Sequence, residues 1–493
     1  MDIAGKLREQ AEQYPHKPFI IFKDNTITFQ EAVNTVNKLA NFLAKQGIKK
    51  GDKVAIYLPN GPEYVYSYFA VFTLGAVAVP LDIRLTPEEL TGVLKHSEAA
   101  FILSQSGLAA QASRPMENLP CPALFAPFDA ALREESPRIA AIKVKEKDPA
   151  ILFYTSGTTG APKAVILNYR HLDNAPLMFE HIKITDMFAT IICPLPLAHI
   201  GGFISLQINA SFGSTLVLMD RFMPVEFLRL VEKYKVTFFF IVPPMFIAML
   251  HLKEFEKYNL ASLRGADVFG APSDPAMIMR FKQCCPNAVL FNGWGMTETS
   301  APNTVSAPDK LDSVGRAAPW CEIKIFDHCD KELPAGEIGE IVVRGWPVMA
   351  GYYKEPRMTK EILRRGWLHT GDLGCLDKEG NLYIKGRKKD MIIVGGLNVY
   401  SPEVEHTIAA HPQVKEVAVI GIPDKLRGEA VKAVVVLKEG ERAGEQDIKT
   451  FCKERLIHFK VPQVVEFRET LPKTASGKVR KEALKEAQVQ SAM

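Results

Sequence analysis

Hydrophobic positions in this chain switch repeatedly between a helical spacing and short continuous runs. Thr28 with Glu31 sets a capping box, and Val33, Val36, Leu39, Ala40 and Leu43 follow at helical spacing until Gly47 stops the pattern. Residues 54–58 form an apolar run of strand length, Pro62 opens a second helix running to Leu74, and residues 76–80 repeat the strand pattern. Similar runs return at 215–218, 237–242 and 288–291. A β-α-β rhythm of this kind predicts parallel sheets covered by helices. From about Ile323 the pattern shortens to brief strands and turns, as over 336–345, which predicts a small barrel or antiparallel sheet.

Residues 386–390, Gly-Arg-Lys-Lys-Asp, make a charged, turn-prone link after the strand signal at Tyr383 and Ile384. Beyond it Ser401 is placed to cap a helix with Pro402 in its first position, residues 414–420 and 430–437 read as strands, and 445–457 as a helix. The expected architecture is α/β. A large N-terminal domain, residues 1–386, holds two βαβ-type sheets plus a small distorted β-barrel, and a small α+β C-terminal domain, residues 387–493, follows.

Composition narrows the function classes. The chain has 493 residues, 47% of them hydrophobic and 24% charged, as expected of a soluble globular protein. A net charge of +4 gives no support to a nucleic-acid partner or a polybasic membrane contact. The first ten residues lack the apolar core of a signal peptide, and the most apolar stretch, 238–250, is too short for a transmembrane segment and is broken by Pro243 and Pro244. The eight cysteines include no Cys-x-x-Cys pair and read as reduced thiols of a cytoplasmic protein. No His-Glu-x-x-His or similar spacing suggests a protein-bound zinc.

Candidate chemistry lies in four segments. The first, residues 154–163, reads Tyr-Thr-Ser-Gly-Thr-Thr-Gly-Ala-Pro-Lys after the apolar residues Ile151, Leu152 and Phe153. Gly157 and Gly160 let the backbone turn its N–H groups toward an anion, Thr155, Ser156, Thr158 and Thr159 add hydroxyl donors, and Lys163 adds a charge. That is the chemistry of a polyphosphate clamp, without the Gly-x4-Gly-Lys-Ser/Thr of a P-loop; a plain polar turn is the alternative. The second, residues 292–298, reads Asn-Gly-Trp-Gly-Met-Thr-Glu: Trp294 offers an aromatic face for a purine, Thr297 a hydroxyl for a phosphate, and Glu298 a carboxylate for magnesium. The third, residues 367–372, ends in Asp372, a carboxylate suited to a ribose diol. The fourth, residues 472–478, presents Lys478 from a Pro-Lys-Thr-Ala-Ser-Gly-Lys loop.

In this order and spacing, along nearly the whole chain, the four segments resemble the adenylate-forming superfamily of acyl-CoA synthetases, adenylation domains and beetle luciferases, most of all a bacterial-type fatty acyl-CoA synthetase. The resemblance implies that Thr155 to Lys163 form the phosphate loop. It puts Gly270, Ala271, Pro272, Asn292, Gly293 and Trp294 around adenine and the acyl group, and Thr297 and Glu298 at phosphate and magnesium. Asp372 and Arg387 fall at the ribose, and Lys389 at the hinge of a mobile C-terminal domain. Lys478 matches the lysine required for adenylation, and His199 borders the acid. Gly395 and Gly396 match a loop that lines the pantetheine tunnel. Three positions depart from the common pattern: Trp294 stands where tyrosine is commoner, residues 269–272 carry one glycine where many members have two, and the hinge is lysine rather than aspartate.

The implied activity is ATP-dependent acid–CoA ligation: carboxylate, ATP and coenzyme A give acyl-CoA, AMP and pyrophosphate through an acyl adenylate, with magnesium as cofactor. Phe203, Ile204, Phe238 and Phe239 favour a hydrophobic tail, so a medium- or long-chain fatty acid is expected. An aryl acid, or loading of a carrier protein by a stand-alone adenylation enzyme, are the alternatives. A homodimer stays open.

Overall fold

The structure, a computed structural model, describes residues 3–105, 121–155, 163–269, 275–310, 312–424, 426–473 and 479–491. Packing divides the chain into two compact units, Met1–Glu322 with Val343–Leu368, and Ile323–Val342 with His369–Met493. Residues 323–342 and 369–386 thus group with the C-terminal segment, upstream of the link expected at 386–390.

The first unit holds two seven-stranded sheets. One runs in the order Val289–Phe291, Gly265–Val268, Phe238–Ile241, Thr190–Cys193, Thr215–Leu218, Pro18–Phe22 and Asn25–Thr28. It is parallel except for the hairpin of its last two strands. The other runs Gly351–Tyr352, Lys163–Asn168, Pro149–Thr155, Val77–Pro80, Lys53–Tyr57, Ala99–Gln105 and Ala123–Ala126, and is parallel from Pro149–Thr155 onward.

The helices between these strands form where periodicity and end chemistry agree. Helix Phe29–Lys45 starts with a reciprocal cap, Glu31 N–H donating to Thr28 Oγ1 while Thr28 N–H donates to Glu31 Oε2 at 2.8 Å. It buries Phe29, Ala32, Val33, Val36, Leu39, Ala40 and Leu43 on one face. Gly47, at φ +89, supplies the left-handed residue that ends it. Helix Pro62–Thr73 is buried at nearly every position, so the helix lies inside the fold rather than on its surface. Each large side chain so buried stabilises the unit by about 1.5–3 kcal/mol. No helix among the described residues is long and apolar enough to cross a membrane.

A five-stranded sheet, largely in the second unit, orders Cys321–Phe326, Gly339–Gly345, Trp367–Leu376 and Leu363–Arg364, with Leu382–Arg387 pairing on Trp367–Leu376. The C-terminal sheet orders Leu397–Tyr400, Met391–Val394, Gly428–Leu437 and Val414–Asp424, with Val464–Phe467 parallel to Gly428–Leu437. Helices Ser401–Ala409 and Glu445–Lys453 cover a core that includes Ile392, Val404, Ile408, Val419, Val435 and Ile448.

Three local expectations differ here. Ser401 does not cap its helix: Tyr400 holds that position, and the Ser401 hydroxyl accepts from Lys481 Nζ at 2.8 Å. The first strand of the long hairpin continues past Ile420 to Asp424, through Gly421 and Pro423. At Gly421 a Cβ would meet Glu429 Oε1 at 2.6 Å, so glycine there leaves room for the carboxylate that accepts from Ile393 N–H. The helix expected over 445–457 stops at Lys453.

Candidate active site

Open sheets of parallel strands bind ligands at the carboxyl ends of those strands, and the candidate residues of the first unit gather there. Strand Pro149–Thr155 pairs antiparallel with Lys163–Asn168, Thr155 directly opposite Lys163. The expected phosphate loop is therefore the connection of a hairpin, unlike a P-loop, which leads into a helix. Ser156, Gly157, Thr158, Thr159, Gly160, Gly270, Ala271, Pro272 and Lys478 lie outside the described residues.

At the end of that hairpin, Lys163 Nζ lies 5.5 Å from the ring centroid of Tyr352. Tyr352 sits on the short strand that pairs with Lys163–Asn168, and its phenol donates to Glu298 Oε1 at 2.9 Å. Burial, and then the adjacent Glu298 charge, push the phenol's pKa well up, so it remains a donor at all physiological pH. Lys163, Tyr352 and Glu298 thus form one cluster. Tyr352 was not among the expected residues; its only sequence signal was the Gly-Tyr-Tyr run at 351–353.

Glu298 lies in the one-turn helix Thr297–Thr299, and its backbone carbonyl accepts from Met349 N–H at 2.8 Å. Asn174 braces the segment that follows, donating to Ser300 O at 2.9 Å and Pro302 O at 2.8 Å, while its own Oδ1 accepts from Trp320 Nε1. Asn292 and Trp294 are buried, and strand Gly293–Trp294 pairs with Thr304–Val305. A single buried carboxylate suits magnesium, which takes one or two protein carboxylates and completes its octahedron with phosphate oxygens and water. No group of three or more His, Cys, Asp or Glu side chains placed to hold a metal ion occurs among the described residues.

His199 precedes helix Ile200–Phe212, and its Nε2 lies 3.1 Å from Asp82 Oδ2. Burial would raise the Asp82 pKa, but hydrogen bonds from Arg84 and His199 outweigh it and hold the carboxyl well below the usual range. The segment leading to His199 is pinned from the other sheet. Asn60 Nδ2 donates to Leu195 O and Met219 O at 2.9 and 3.1 Å, and its Oδ1 accepts from Leu197 N–H at 2.9 Å. Asn60 and Asp82 both follow strands of the second sheet, so two sheets meet at the carboxyl ends that carry these side chains.

Phe203, Ile204, Phe238 and Phe239, expected near the acid's tail, are consumed by internal packing. Phe203 packs at tilted and edge-on angles against Tyr68, Phe72 and Phe153, and Phe239 belongs to the helix-covered core. What stands instead near His199 is Phe269, whose Cζ would lie 3.1 Å from a Cβ on Gly201.

In the second unit Asp372 lies directly opposite Arg387 across two paired strands, with Arg387 Nε 3.4 Å from Asp372 Oδ1. Glu340 ties this pair to the residues around the expected hinge. It accepts from Gly371 N–H at 3.1 Å and Lys388 Nζ at 3.1 Å, and lies 3.3 Å from His369 Nδ1. Burial would raise the Glu340 pKa; Lys388 and His369 together lower it. Lys389 pairs with Glu482 on helix Lys481–Ser491. Gly395 and Gly396, at φ +57 and +83, form the turn between Met391–Val394 and Leu397–Tyr400, and Gly395 N–H donates to Arg427 O at 2.8 Å.

Each unit by itself holds polar groups of a kind suited to a nucleotide: a lysine with a buried glutamate in the first, and an aspartate–arginine pair on adjacent strands in the second. Residues 7–353 match the AMP-binding enzyme family, and residues 403–478 its C-terminal domain. The chain belongs to the AMP-binding enzyme family. This AMP-binding enzyme is 33% identical to the long-chain-fatty-acid–CoA ligase of Bacillus subtilis (strain 168), over 98% of this chain and 94% of that one. It is 35% identical to a feruloyl-CoA synthase of Amycolatopsis sp, over 96% of each chain. Its fold matches that of o-succinylbenzoate CoA synthetase of Bacillus subtilis in complex with ATP and magnesium, with a TM-score of 0.86, 32% identity, and 96% and 98% of the two chains covered. The AMP-binding enzyme described here is accordingly an AMP-forming acid–CoA ligase.

Proposed function

We propose that this ligase binds ATP with magnesium, activates a hydrophobic carboxylic acid as its acyl adenylate, and passes the acyl group to coenzyme A. The observation that carries the reading is the Lys163–Tyr352–Glu298 cluster at the end of the 155–163 hairpin. Carboxylate and α-phosphate repel, so the first half-reaction needs positive charge where pyrophosphate departs. Lys163 and the N–H groups of the loop would supply it, with Thr297 bonding a phosphate oxygen. Magnesium, held through Glu298, would neutralise further phosphate charge. Tyr352 would orient the carboxylate that holds it, and Asp372 and Arg387 would take the ribose.

Lys478 would lie between the attacking carboxylate and the phosphate. A unit charge at ~4 Å and an effective dielectric near 20 is worth about 4 kcal/mol, or roughly three decades in rate. Lys478→Ala is therefore expected to lose pyrophosphate exchange while still accepting a preformed acyl adenylate; wild-type exchange would refute the role. In the second half-reaction the C-terminal residues 387–493 would turn about Lys389, bringing Gly395 and Gly396 to line the path of the thiol arm.

For the acid, a medium- or long-chain fatty acid is supported by the 33% identity to a long-chain-fatty-acid ligase. An aryl acid is the second reading, supported by the 35% identity to a feruloyl-CoA synthase. Measuring AMP formation with octanoate, palmitate, benzoate and 4-coumarate, with and without coenzyme A, decides between them. Turnover that requires a carrier protein in place of coenzyme A would overturn the ligase reading.

A further inference from the structure

Asp267 lies on strand Gly265–Val268, in register with Phe240 on one neighbouring strand and Phe291 on the other. Ala266 and Val268 belong to the core under the helices, so Asp267 projects from the opposite, aromatic-flanked face of the sheet. Phe269, two residues on, has the same facing, and its ring reaches Gly201 beyond His199. The carboxyl therefore stands on the same wall as Phe269, one step deeper.

The carboxyl is buried and only partly satisfied. Asp267 is only 3% exposed. Its carboxyl accepts from Gly293 N–H, and a Cβ on Gly293 would sit 3.3 Å from Oδ2 and 3.5 Å from Oδ1, so the residue beside Trp294 gives the carboxyl room by having no side chain. Oδ1 has no hydrogen-bond partner among the described residues. Nearby, on the strand paired with Gly293–Trp294, Thr304 Oγ1 is a second buried polar atom with no partner among those residues. Leaving such acceptors unmade is costly, and an apolar residue of similar size at position 267 would avoid the cost. Charged side chains do not enter: burial, opposed by the Gly293 N–H, sets the Asp267 pKa, pushed up to about 7.

Resting on the ligase reading above, we propose that Asp267 is a specificity-determining residue whose unused oxygen accepts a hydrogen bond from an amine or hydroxyl carried on the acid substrate. The preferred substrate is then an acid with a compact, largely apolar body and a donor group on it, rather than a plain hydrocarbon acid. A site built to meet a donor rejects the analogue that lacks it far more strongly than an apolar wall rejects an extra methylene.

The test compares matched pairs, benzoate against 3- and 4-aminobenzoate and 4-hydroxybenzoate, and octanoate against 8-hydroxyoctanoate. ATP–pyrophosphate exchange without coenzyme A, which cycles the first half-reaction alone, gives kcat/KM for each. The wild type is expected to prefer at least one donor-bearing acid to its parent by about a hundredfold or more. In Asp267→Val that acid should fall by a similar factor while its parent rises, because the parent no longer strands a buried carboxyl. Asp267→Asn, nearly the same shape, guards against loss of fold and should narrow the preference about tenfold. Equal use of every parent and partner by the wild type would overturn the inference. So would variants that lower both members of a pair alike, which is the signature of a residue that merely pins the 292–294 turn. Those failures leave the ligase reading standing; adenylation of none of the acids would remove both.

Discussion

Asp267→Asn separates a buried acid from its shape, and its effect on stability follows from the structure. The Asp267 pKa rises from 3.8 to about 7, close to three units, each equivalent to about 1.4 kcal/mol. Because the folded value lies above the unfolded one, the folded protein binds more protons between those two pH values. The favourable term is complete below pH ~4 and is lost as pH rises through ~7. Between pH 5 and pH 7 the wild type should lose about 2 kcal/mol from this one group, with only a few tenths more above pH 7. The amide that replaces the carboxyl does not titrate, so the variant has no such slope. It should therefore gain on the wild type as pH rises, by about 3 °C in the melting midpoint of the first unit between pH 5 and pH 7. Parallel thermal melts of the two proteins at half-unit pH intervals provide the readout, and the difference between them cancels the other titrating groups. A pH-independent difference would refute the reasoning, because it would mean that Asp267 is ionised in the fold at pH 5.

Other perturbations give equally definite outcomes. Tyr352→Phe removes the hydrogen bond to Glu298 and should cost about 1.5–3 kcal/mol of support for that charged carboxylate; a roughly tenfold or larger rise in KM for magnesium–ATP, with the KM for the acid unmoved, is the expected pattern. Asn60→Ala strands Met219 O and Leu197 N–H and leaves Leu195 O only the Cys193 thiol, and a loss of about 3 kcal/mol is expected in denaturant titration, whereas a loss under about 1 kcal/mol would show that the segment before His199 holds itself. At Gly395 a Cβ meets no other atom within 4 Å, and the backbone at φ +57 sets a cost of about 1–2 kcal/mol for a side chain there; in Gly395→Val acyl-adenylate formation should persist and thioester formation should fail, and equal loss of both would count against the proposed role of that turn.

Much of the fold could be read from the chain because local signals were sufficient. The Thr28–Glu31 cap, the run at 54–58 and the helix from Pro62 depend on neighbours a few residues away, and their structures follow the pattern closely. Ser401 misled because a distant lysine took the hydroxyl that would have made the cap. The strand expected to end at residue 420 runs on through Gly421 and Pro423 to Asp424, and Glu429 occupies the space the glycine leaves. For the candidate site, the motif segments carried the family resemblance, while single residues acting across the fold carried no such mark. Tyr352, Asn60, Glu340 and Asp267 each work through a partner at least 26 positions away, and no periodicity marks them. The phenylalanines at 203, 238 and 239 showed the converse: apolar residues close in sequence to a motif serve the core just as readily as a ligand.

The strand Pro18–Phe22 has a consequence for how the protein is made. Its parallel neighbour is Thr215–Leu218, and Thr215 Oγ1 donates to Pro18 O across 197 positions. At a synthesis rate of about 5–20 residues per second, the early strand waits roughly 10–40 s for that neighbour. During that interval the sheet partner already made is the hairpin strand Asn25–Thr28, and the apolar residues Phe19, Ile20 and Ile21 have no finished core to enter. The nascent chain is thus most exposed to mispairing while its beginning is already out and its middle is still being built. Slowing translation before residue 215 should lower the soluble yield more than slowing it after residue 218.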